Sequence, residues 1–311
     1  MDAVLARRRS LPPGGAIETW PARDGWPLGL GTWREGARGT LLLLNGRADF
    51  LGKYAEALWH WRERGWAIAA PDWRGQGLSG RLGRTPLHGH ADSVDPWLDD
   101  LATILGRLAD WPRPLVALGH SMGGHLLLRA LAGGLAGPER VALTAPMLGL
   151  RLPLPRPLAA AVAGAAVALG AGGRFAPGQR GRLPPATERL RARVLTSCPE
   201  RQGDEAWWLE RHPERRLGGV TWGWLAAALA SLRALDAPGV VEGVRLPVLA
   251  LLARDERVVD GAAAKRMLAR LPHGRYAQME GRHELLREAD GPRAAVMARL
   301  DAFLETGGTG G

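Results

Sequence analysis

The chain has 311 residues, of which 46% are hydrophobic and 23% charged, values typical of a globular protein and far from those of a disordered chain. This length fits one domain with a sizeable insertion better than two equal domains. The single cysteine, Cys198, excludes an internal disulfide, and the first residues lack the apolar stretch of a secretory signal, so we expect a cytoplasmic protein.

Arginine carries almost all of the net charge of +10, since Lys53 and Lys265 are the only lysines among 41 basic residues. A basic surface attracts anionic lipid or nucleic acid through phosphate contacts. The arginines are scattered along the chain rather than clustered, so we expect no nucleic-acid partner. Weak association with an anionic membrane surface, peripheral at the inner face, stays open, and the sequence predicts no oligomeric state.

Short apolar runs, each followed by a longer amphipathic stretch, predict the strand–helix units of a parallel sheet. The predicted strands are Thr40–Leu44, Trp66–Ala70, Leu115–Leu118, Val141–Thr144, Val248–Leu252 and Arg275–Met279. The predicted helices are Leu51–Arg64, Val94–Leu108, Met122–Leu131, Ala262–Leu271 and Arg293–Leu304. Together they predict the fold class α/β, with an open, mostly parallel central sheet flanked by helices.

The alternation stops between Pro146 and about Pro238, where proline, glycine, arginine and tryptophan are frequent. Prolines there interrupt any long helix, and the predicted short helices are Ala186–Val194, Glu205–Arg211 and Trp224–Leu235. Four tryptophans supply apolar area that a disordered linker lacks. We therefore predict a core at residues 1–145 and 238–305, an inserted helical cap, or lid, at 146–237 and a flexible tail at 306–311.

The clearest chemical signal is Gly119-His120-Ser121-Met122-Gly123, which lies between a predicted strand and a predicted helix. A strand, then G-x-S-x-G, then a helix is typical of a nucleophile elbow, in which a tight turn exposes the serine and the glycines leave it room. We therefore predict that Ser121 is a nucleophile.

A serine hydroxyl requires a nearby base, and the base an orienting acid. On an α/β sheet of this kind the acid follows a later strand, and the histidine lies in a loop beyond the last strand. Asp255 directly follows the strand at 248–252 and is the predicted acid, with Glu256 and Asp260 as rivals. His283, in a glycine-containing loop before the final helix, is the predicted base.

The oxyanion of a tetrahedral intermediate needs preorganised N–H donors. The predicted donors are the backbone N–H groups of Met122, directly after the nucleophile, and Arg47, in the loop after the strand Thr40–Leu44. The Arg47 side chain is either a surface arginine or a phosphate contact. The glycine-rich loop at residues 72–79 is predicted to be structural, and no metal or nucleotide motif is present, so we predict no cofactor and no metal.

Taken together, these stretches resemble the monoacylglycerol lipase and lysophospholipase L2 branch of the α/β-hydrolases. The matching segments are LLLLNGRADFLGKY, AAPDWRGQGLSGR, LGHSMGGHLLLRAL, TAPMLGL, ARDERVVD and EGRHELL. The resemblance implies a cofactor-free serine hydrolase of single-chain acyl glycerides or lysophospholipids, with Ser121, Asp255 and His283 as triad and Arg47 and Met122 as oxyanion donors. One departure is Asn45-Gly46, where many relatives have His-Gly, and it bears on loop packing and substrate preference.

The sequence leaves three functions to be tested. The first is hydrolysis of a lipid ester through an acyl-enzyme, with the acyl chain under the cap against apolar surface from residues 158–169 and the tryptophans. The second uses the same triad for peptides or acyl transfer, and the third is a non-catalytic ligand-binding protein that keeps the fold.

Overall fold

A computed structural model of the protein describes residues 3–305, and the predicted tail at 306–311 lies outside them. Eight strands form one sheet in the order β1-β2-β4-β3-β5-β6-β7-β8. They are β1 (Ala16–Pro21), β2 (Pro27–Trp33), β3 (Thr40–Leu44), β4 (Ala67–Pro71), β5 (Leu115–His120), β6 (Arg140–Thr144), β7 (Val248–Ala253) and β8 (Gly274–Met279). Only the pairs β1–β2 and β2–β4 are antiparallel, so the prediction of a mostly parallel sheet is confirmed.

Ten helices accompany the sheet in the described part of the chain. They are α1 (Ala3–Arg8), α2 (Ala55–Glu63), α3 (Asp95–Arg107), α4 (Met122–Ala132), α5 (Arg156–Ala168), α6 (Pro185–Leu195), α7 (Pro199–Arg211), α8 (Trp222–Asp236), α9 (Gly261–Leu268) and α10 (Asp290–Glu305). None of them is long and apolar enough to cross a membrane.

The central strands consist of apolar runs because both faces of the sheet are covered. Every residue of β3, β4, β5 and β6 is buried. Side chains of α3, α4, α8 and α9 pack against one face, and side chains of α2 and α10 pack against the other. The helices on the two faces fix the positions of the carboxyl ends of β3, β5 and β7. The residues of the candidate site follow those ends.

Three early elements, α1, β1 and β2, and the cap helix α5 were not among the predicted elements. In β2 the glycines Gly29 and Gly31 replace the β-branched residues that indicate a strand. A Cβ at Gly29 would lie 2.2 Å from the Leu78 Cβ, so close packing against the neighbouring loop requires glycine there. A tertiary contact, absent from the local pattern, therefore hides this strand.

Between β6 and β7 the described chain forms four helices and no strand of the sheet. Prolines lie in the first turn of α5, α6 and α7, where a missing N–H costs nothing, so here they begin helices rather than break them. The division into a core and a cap at residues 146–237 stays a prediction.

Candidate active site

The turn between β5 and α4 presents Ser121. Its backbone has φ 50° and ψ −117°, a strained conformation for a residue with a side chain. A Cβ at Gly119 would lie 2.7 Å from the Gly124 Cα, and a Cβ at Gly123 would lie 2.5 Å from the Leu44 oxygen. The two glycines therefore let the strand and helix approach closely enough to hold Ser121 at the carboxyl end of the sheet.

A continuous hydrogen-bond chain starts at this serine. The Ser121 Oγ lies 3.0 Å from His283 Nε2, and His283 Nδ1 lies 2.8 Å from Glu256 Oε2. Ser121 and His283 are only 8% and 3% exposed. The structure thus brings together the predicted nucleophile and the predicted base, from loops that follow β5 and β8.

Glu256 is held in place by its own backbone. Its Oε1 accepts the N–H groups of Val258 and Val259 at 2.7 and 3.1 Å, which leaves Oε2 for the imidazole. Burial raises the pKa of the Glu256 carboxyl, but the hydrogen bond and charge of His283 and the two N–H donors outweigh it, so this pKa lies below its usual value. The carboxylate is therefore ionised at neutral pH.

The structure corrects the prediction for the acid. The Asp255 side chain is exposed, while its backbone N–H donates to the Gly281 oxygen at 3.1 Å. The next residue, Glu256, is the one that contacts His283. The other rival, Asp260, caps α9 by accepting the N–H groups of Ala262 and Ala263, each at 3.0 Å.

A second histidine, His120, lies beside the base, with its ring centroid 5.0 Å from that of His283. Its Nδ1 bonds to the Thr144 oxygen at 3.1 Å. Burial and the neighbouring His283 lower the pKa of His120 to about 4. It is therefore neutral at pH 7, and its hydrogen bonds are to Thr144 rather than to Ser121.

The loop after β3 presents the second predicted oxyanion donor. The N–H groups on either side of Arg47 are occupied: that of Gly46 donates to Asp49 Oδ2 at 2.9 Å, and that of Ala48 donates to Gln76 Oε1 at 3.1 Å. Within residues 3–305 the N–H groups of Arg47 and Met122 have no hydrogen-bond acceptor. Met122 directly follows Ser121, and Arg47 lines the same cavity as Ser121, so two free donors lie on this side of the sheet.

Gln76 clamps this loop and was not recognised as a site residue from the sequence. Besides accepting from Ala48, its Nε2 donates to the oxygens of Gly46 and Asp49 at 2.8 and 3.1 Å and to Asn45 Oδ1 at 3.1 Å. Asn45 in turn donates to Asp72 Oδ1 at 2.8 Å. The loop at residues 72–79 thus supports the site, as predicted, and Asn45 packs into that support.

We expect Gln76→Leu to lower kcat by about 10- to 100-fold. The substitution removes the hydrogen bonds that hold the loop on both sides of Arg47, so the Arg47 N–H is less firmly positioned. Complete loss of one oxyanion donor lowers kcat by about 100- to 1,000-fold, which sets the upper limit of the effect. Steady-state kinetics with a p-nitrophenyl ester measure this, with far-UV circular dichroism to confirm folding. An unchanged kcat would show that the loop holds its shape without Gln76.

A buried ion-pair cluster lies next to the site. Lys53 Nζ contacts Asp49 Oδ1 and Glu284 Oε1, each at 2.6 Å, and Glu205 Oε2 at 3.1 Å. Arg287 also contacts Glu205, at 3.0 Å, and donates to Glu284. Since Glu205 lies on α7 and Glu284 follows His283, the cluster joins the inserted helices to the base-bearing loop.

We expect Lys53→Met to lower the free energy of unfolding by about 3–5 kcal/mol, because it leaves buried carboxylates without their shared cation. Lys265→Met, at the other lysine, is the control and should change stability by less than about 0.5 kcal/mol. Urea unfolding at pH 7 measures both. Equal effects of the two substitutions would contradict a special role for the cluster.

The same cluster predicts acid sensitivity. Burial raises the pKa of Glu284, but the charges of Lys53 and Arg287 outweigh it and lower it to about 2, below its ordinary 4.5. The stability from this group is therefore present above pH 4.5 and is lost as pH falls toward 2. Urea unfolding between these pH values should show a weaker pH dependence in Lys53→Met, and an identical dependence would contradict the assignment.

A cavity of about 550 Å³ lies over Ser121. Helices α6 and α7 contribute Ala192, Leu195, Ala206 and Leu209 to its lining, and the loops after β6 and β7 contribute Met147, Leu150, Val258 and Val259. This corrects the predicted acyl wall, because residues 158–169 and the tryptophans do not line this cavity. Trp208 instead packs against Phe50, and Trp224 lies in the core. Residues 3–305 contain no group of three or more His, Cys, Asp and Glu side chains arranged to hold a metal ion.

Comparison with known proteins identifies the family of the chain. Residues 35–290 match the model of the Hydrolase_4 family, described as serine aminopeptidase, S33. The chain belongs to this family. It is a serine hydrolase with the α/β-hydrolase fold, so the fold class predicted from the sequence is confirmed.

Curated relatives of this α/β-hydrolase cover most of its length. It is 29% identical over 278 residues to a Haemophilus influenzae protein named "Probable lysophospholipase L2", which covers 86% of this chain and 84% of that protein. It is 30% identical over 281 residues to lysophospholipase L2 of Escherichia coli strain K12, covering 85% and 79%. The predicted resemblance to this branch is therefore confirmed.

Solved structures support the fold. A soluble variant of the Saccharomyces cerevisiae monoglyceride lipase, in complex with a substrate analogue, aligns with a TM-score of 0.74 at 17% identity over 94% of this chain and 96% of that one. The monoacylglycerol lipase of Paleococcus ferrophilus aligns with a TM-score of 0.67 at 18% identity over 93% and 99%.

Proposed function

We propose that this hydrolase cleaves carboxylic esters of lipids with a single acyl chain, lysophospholipids or monoacylglycerols, through a Ser121–His283–Glu256 triad and an acyl-enzyme. The observation that carries the proposal is the hydrogen-bond chain of 3.0 and 2.8 Å beneath a partly apolar cavity. The named lysophospholipase relatives point to the same substrate class.

In acylation, Ser121 Oγ attacks the ester carbonyl carbon while its proton passes to His283 Nε2. Glu256 accepts the hydrogen bond from Nδ1–H, which keeps the imidazole in the tautomer that can take this proton and stabilises the imidazolium. The N–H groups of Met122 and Arg47 stabilise the oxyanion. His283 then gives the proton to the leaving alcohol oxygen, the ester C–O bond breaks, and the acyl group stays on Ser121.

Deacylation repeats these steps with water. His283 takes a proton from the water as its oxygen attacks the acyl carbon, and the same two N–H groups stabilise the second oxyanion. Return of the proton to Ser121 Oγ releases the fatty acid and restores the free enzyme. No added cofactor enters the balance.

The cavity favours a lipid ester over an N-terminal peptide. An aminopeptidase site needs a carboxylate free to hold the substrate's ammonium group. The carboxylates lining this cavity are each paired already: Asp49, Glu205 and Glu284 with Lys53, and Glu188 with Arg216. The apolar side chains from α6, α7 and the loops after β6 and β7 provide surface for one acyl chain.

A substrate panel tests this proposal. We expect measurable kcat/KM for a lysophospholipid and for a monoacylglycerol, and at least 100-fold less for aminoacyl p-nitroanilides. Acyl transfer to glycerol should be minor beside release of fatty acid to water. Preference for the anilides would overturn the lipid assignment while leaving the triad in place.

We also propose that the enzyme meets its substrate at an anionic membrane surface, as its charge of +10 suggests. Leu158 and Val162 on α5 and Leu169, which directly follows it, are exposed by 50%, 39% and 86%, and their spacing places them on one side of the helix. Co-sedimentation should be stronger with phosphatidylglycerol vesicles than with phosphatidylcholine vesicles and weaker for Leu158→Glu. Equal sedimentation with both lipids would contradict it. The cytoplasmic location stays a prediction.

A further inference from the structure

The cavity over Ser121 has more positive charge than its own carboxylates can neutralise. Its basic side chains are Arg47, Lys53, Arg189, Arg191 and Arg216, and its acidic ones are Asp49, Glu188, Glu205 and Glu284. All four carboxylates form ion pairs: Asp49, Glu205 and Glu284 with Lys53, the last two also with Arg287, and Glu188 with Arg216. Within residues 3–305, the arginines at 47, 189 and 191 form no ion pair with a carboxylate.

Arg47 is the first of these three arginines that lack a carboxylate partner. Its Nη2 donates to the Gly218 oxygen, and its Cζ lies 5.5 Å from the centre of the Trp224 ring. Its Nε is shielded from solvent and has no acceptor. Burial lowers the pKa of the guanidinium to about 9, so it is still charged at pH 7. A shielded cation with an unmet donor is costly unless an anion approaches it.

Arg191, on α6, is the second arginine of the cavity without a carboxylate partner. Its charge repels that of Arg47, and both residues are among those that line the cavity. Arg189 lines the cavity too, and Arg189 and Arg191 are both exposed at its rim. An anion held between Arg47 and Arg191 would replace repulsion by two attractions, and it would connect the core loop to α6.

We propose that Arg47 and Arg191 form a subsite for the phosphate of a lysophospholipid head group. This inference rests on the proposed ester hydrolysis. The backbone N–H of Arg47 is assigned to the ester oxygen, and its side chain extends from the same residue toward Gly218. In a lysophospholipid, glycerol joins the ester to the phosphate. The backbone N–H of Arg47 would bind the ester oxygen, and the guanidinium of the same residue would bind the phosphate. Monoacylglycerol has no phosphate for the guanidinium to bind.

The test compares two substrates that differ in the phosphate alone: lysophosphatidic acid and monoacylglycerol, both with a decanoyl chain and below their micelle concentrations. We expect Arg191→Gln to lower the ratio of their kcat/KM values by about three- to tenfold, and Arg47→Met to lower it by about tenfold or more. Arg193→Gln is the matched control, because Arg193 lies on the same helix and is exposed as Arg191 is, but does not line the cavity. Its ratio should equal that of the unmodified enzyme.

The outcomes separate this inference from the function on which it rests. If the unmodified enzyme cleaves both lipids and the ratio is the same in all variants, the phosphate subsite is overturned and the ester hydrolase stands. If it cleaves neither lipid, both proposals fall. Glycerol 1-phosphate should also inhibit p-nitrophenyl butyrate hydrolysis more strongly than inorganic phosphate. Equal inhibition with an unchanged lipid ratio would assign the arginines to free phosphate instead.

Discussion

Ser121→Ala should lower kcat/KM for a p-nitrophenyl ester by about 10⁶-fold, to the level left by the oxyanion donors and binding. The reason is that Ser121 Oγ is the atom 3.0 Å from His283 Nε2, and removing it leaves no nucleophile in that position. Initial rates with purified protein measure the loss.

The matched control is Ser79→Ala. Ser79 is completely buried, and its hydroxyl donates to the Asp72 oxygen at 2.7 Å, so it has a structural role in the supporting loop. We expect it to reduce stability by about 1–3 kcal/mol and activity far less than Ser121→Ala does. Substantial activity in Ser121→Ala, with a normal melting temperature, would contradict the assignment of the nucleophile.

Glu256→Gln should lower kcat by about 10³- to 10⁴-fold. The amide oxygen can still accept from Val258 and Val259, but the amide NH₂ then faces His283 Nδ1 and donates to it. That contact places the imidazole proton on Nε2. With this proton in place, Nε2 can no longer accept the proton of Ser121. The substitution changes the tautomer while the shape of the side chain is conserved.

Asp255→Asn is the matched control at the neighbouring carboxylate. Its side chain is exposed, so we expect kcat within about twofold of the unmodified enzyme. Stopped assays at pH 7 with both variants decide between the two acids. A large loss in Asp255→Asn with little loss in Glu256→Gln would restore the original sequence prediction and contradict the geometry.

The parts of the site that local sequence determines were predictable. Ser121 lies in a turn whose strand, glycines and helix are all contiguous, and β3 was predicted with its observed bounds because its apolar run is buried on both faces. The loop position of His283 follows from the glycine and helix around it. For such residues, neighbours in the chain are also neighbours in the structure.

The choice of acid depended on contacts between distant residues. Asp255 and Glu256 are adjacent carboxylates in the sequence, and which of them reaches His283 depends on how two loops 27 residues apart meet in the fold. Gln76 and Lys53 were missed for the same reason, because their partners lie up to 231 residues away. Local pattern carries no signal for contacts of this range.

The most direct test of the account is the site of reaction with a fluorophosphonate, which modifies only an activated serine. We predict one adduct, located at Ser121 by tandem mass spectrometry, formed rapidly in the unmodified enzyme and far more slowly in Glu256→Gln. No adduct, or an adduct at another serine, would contradict a Ser121 nucleophile activated by His283 and Glu256.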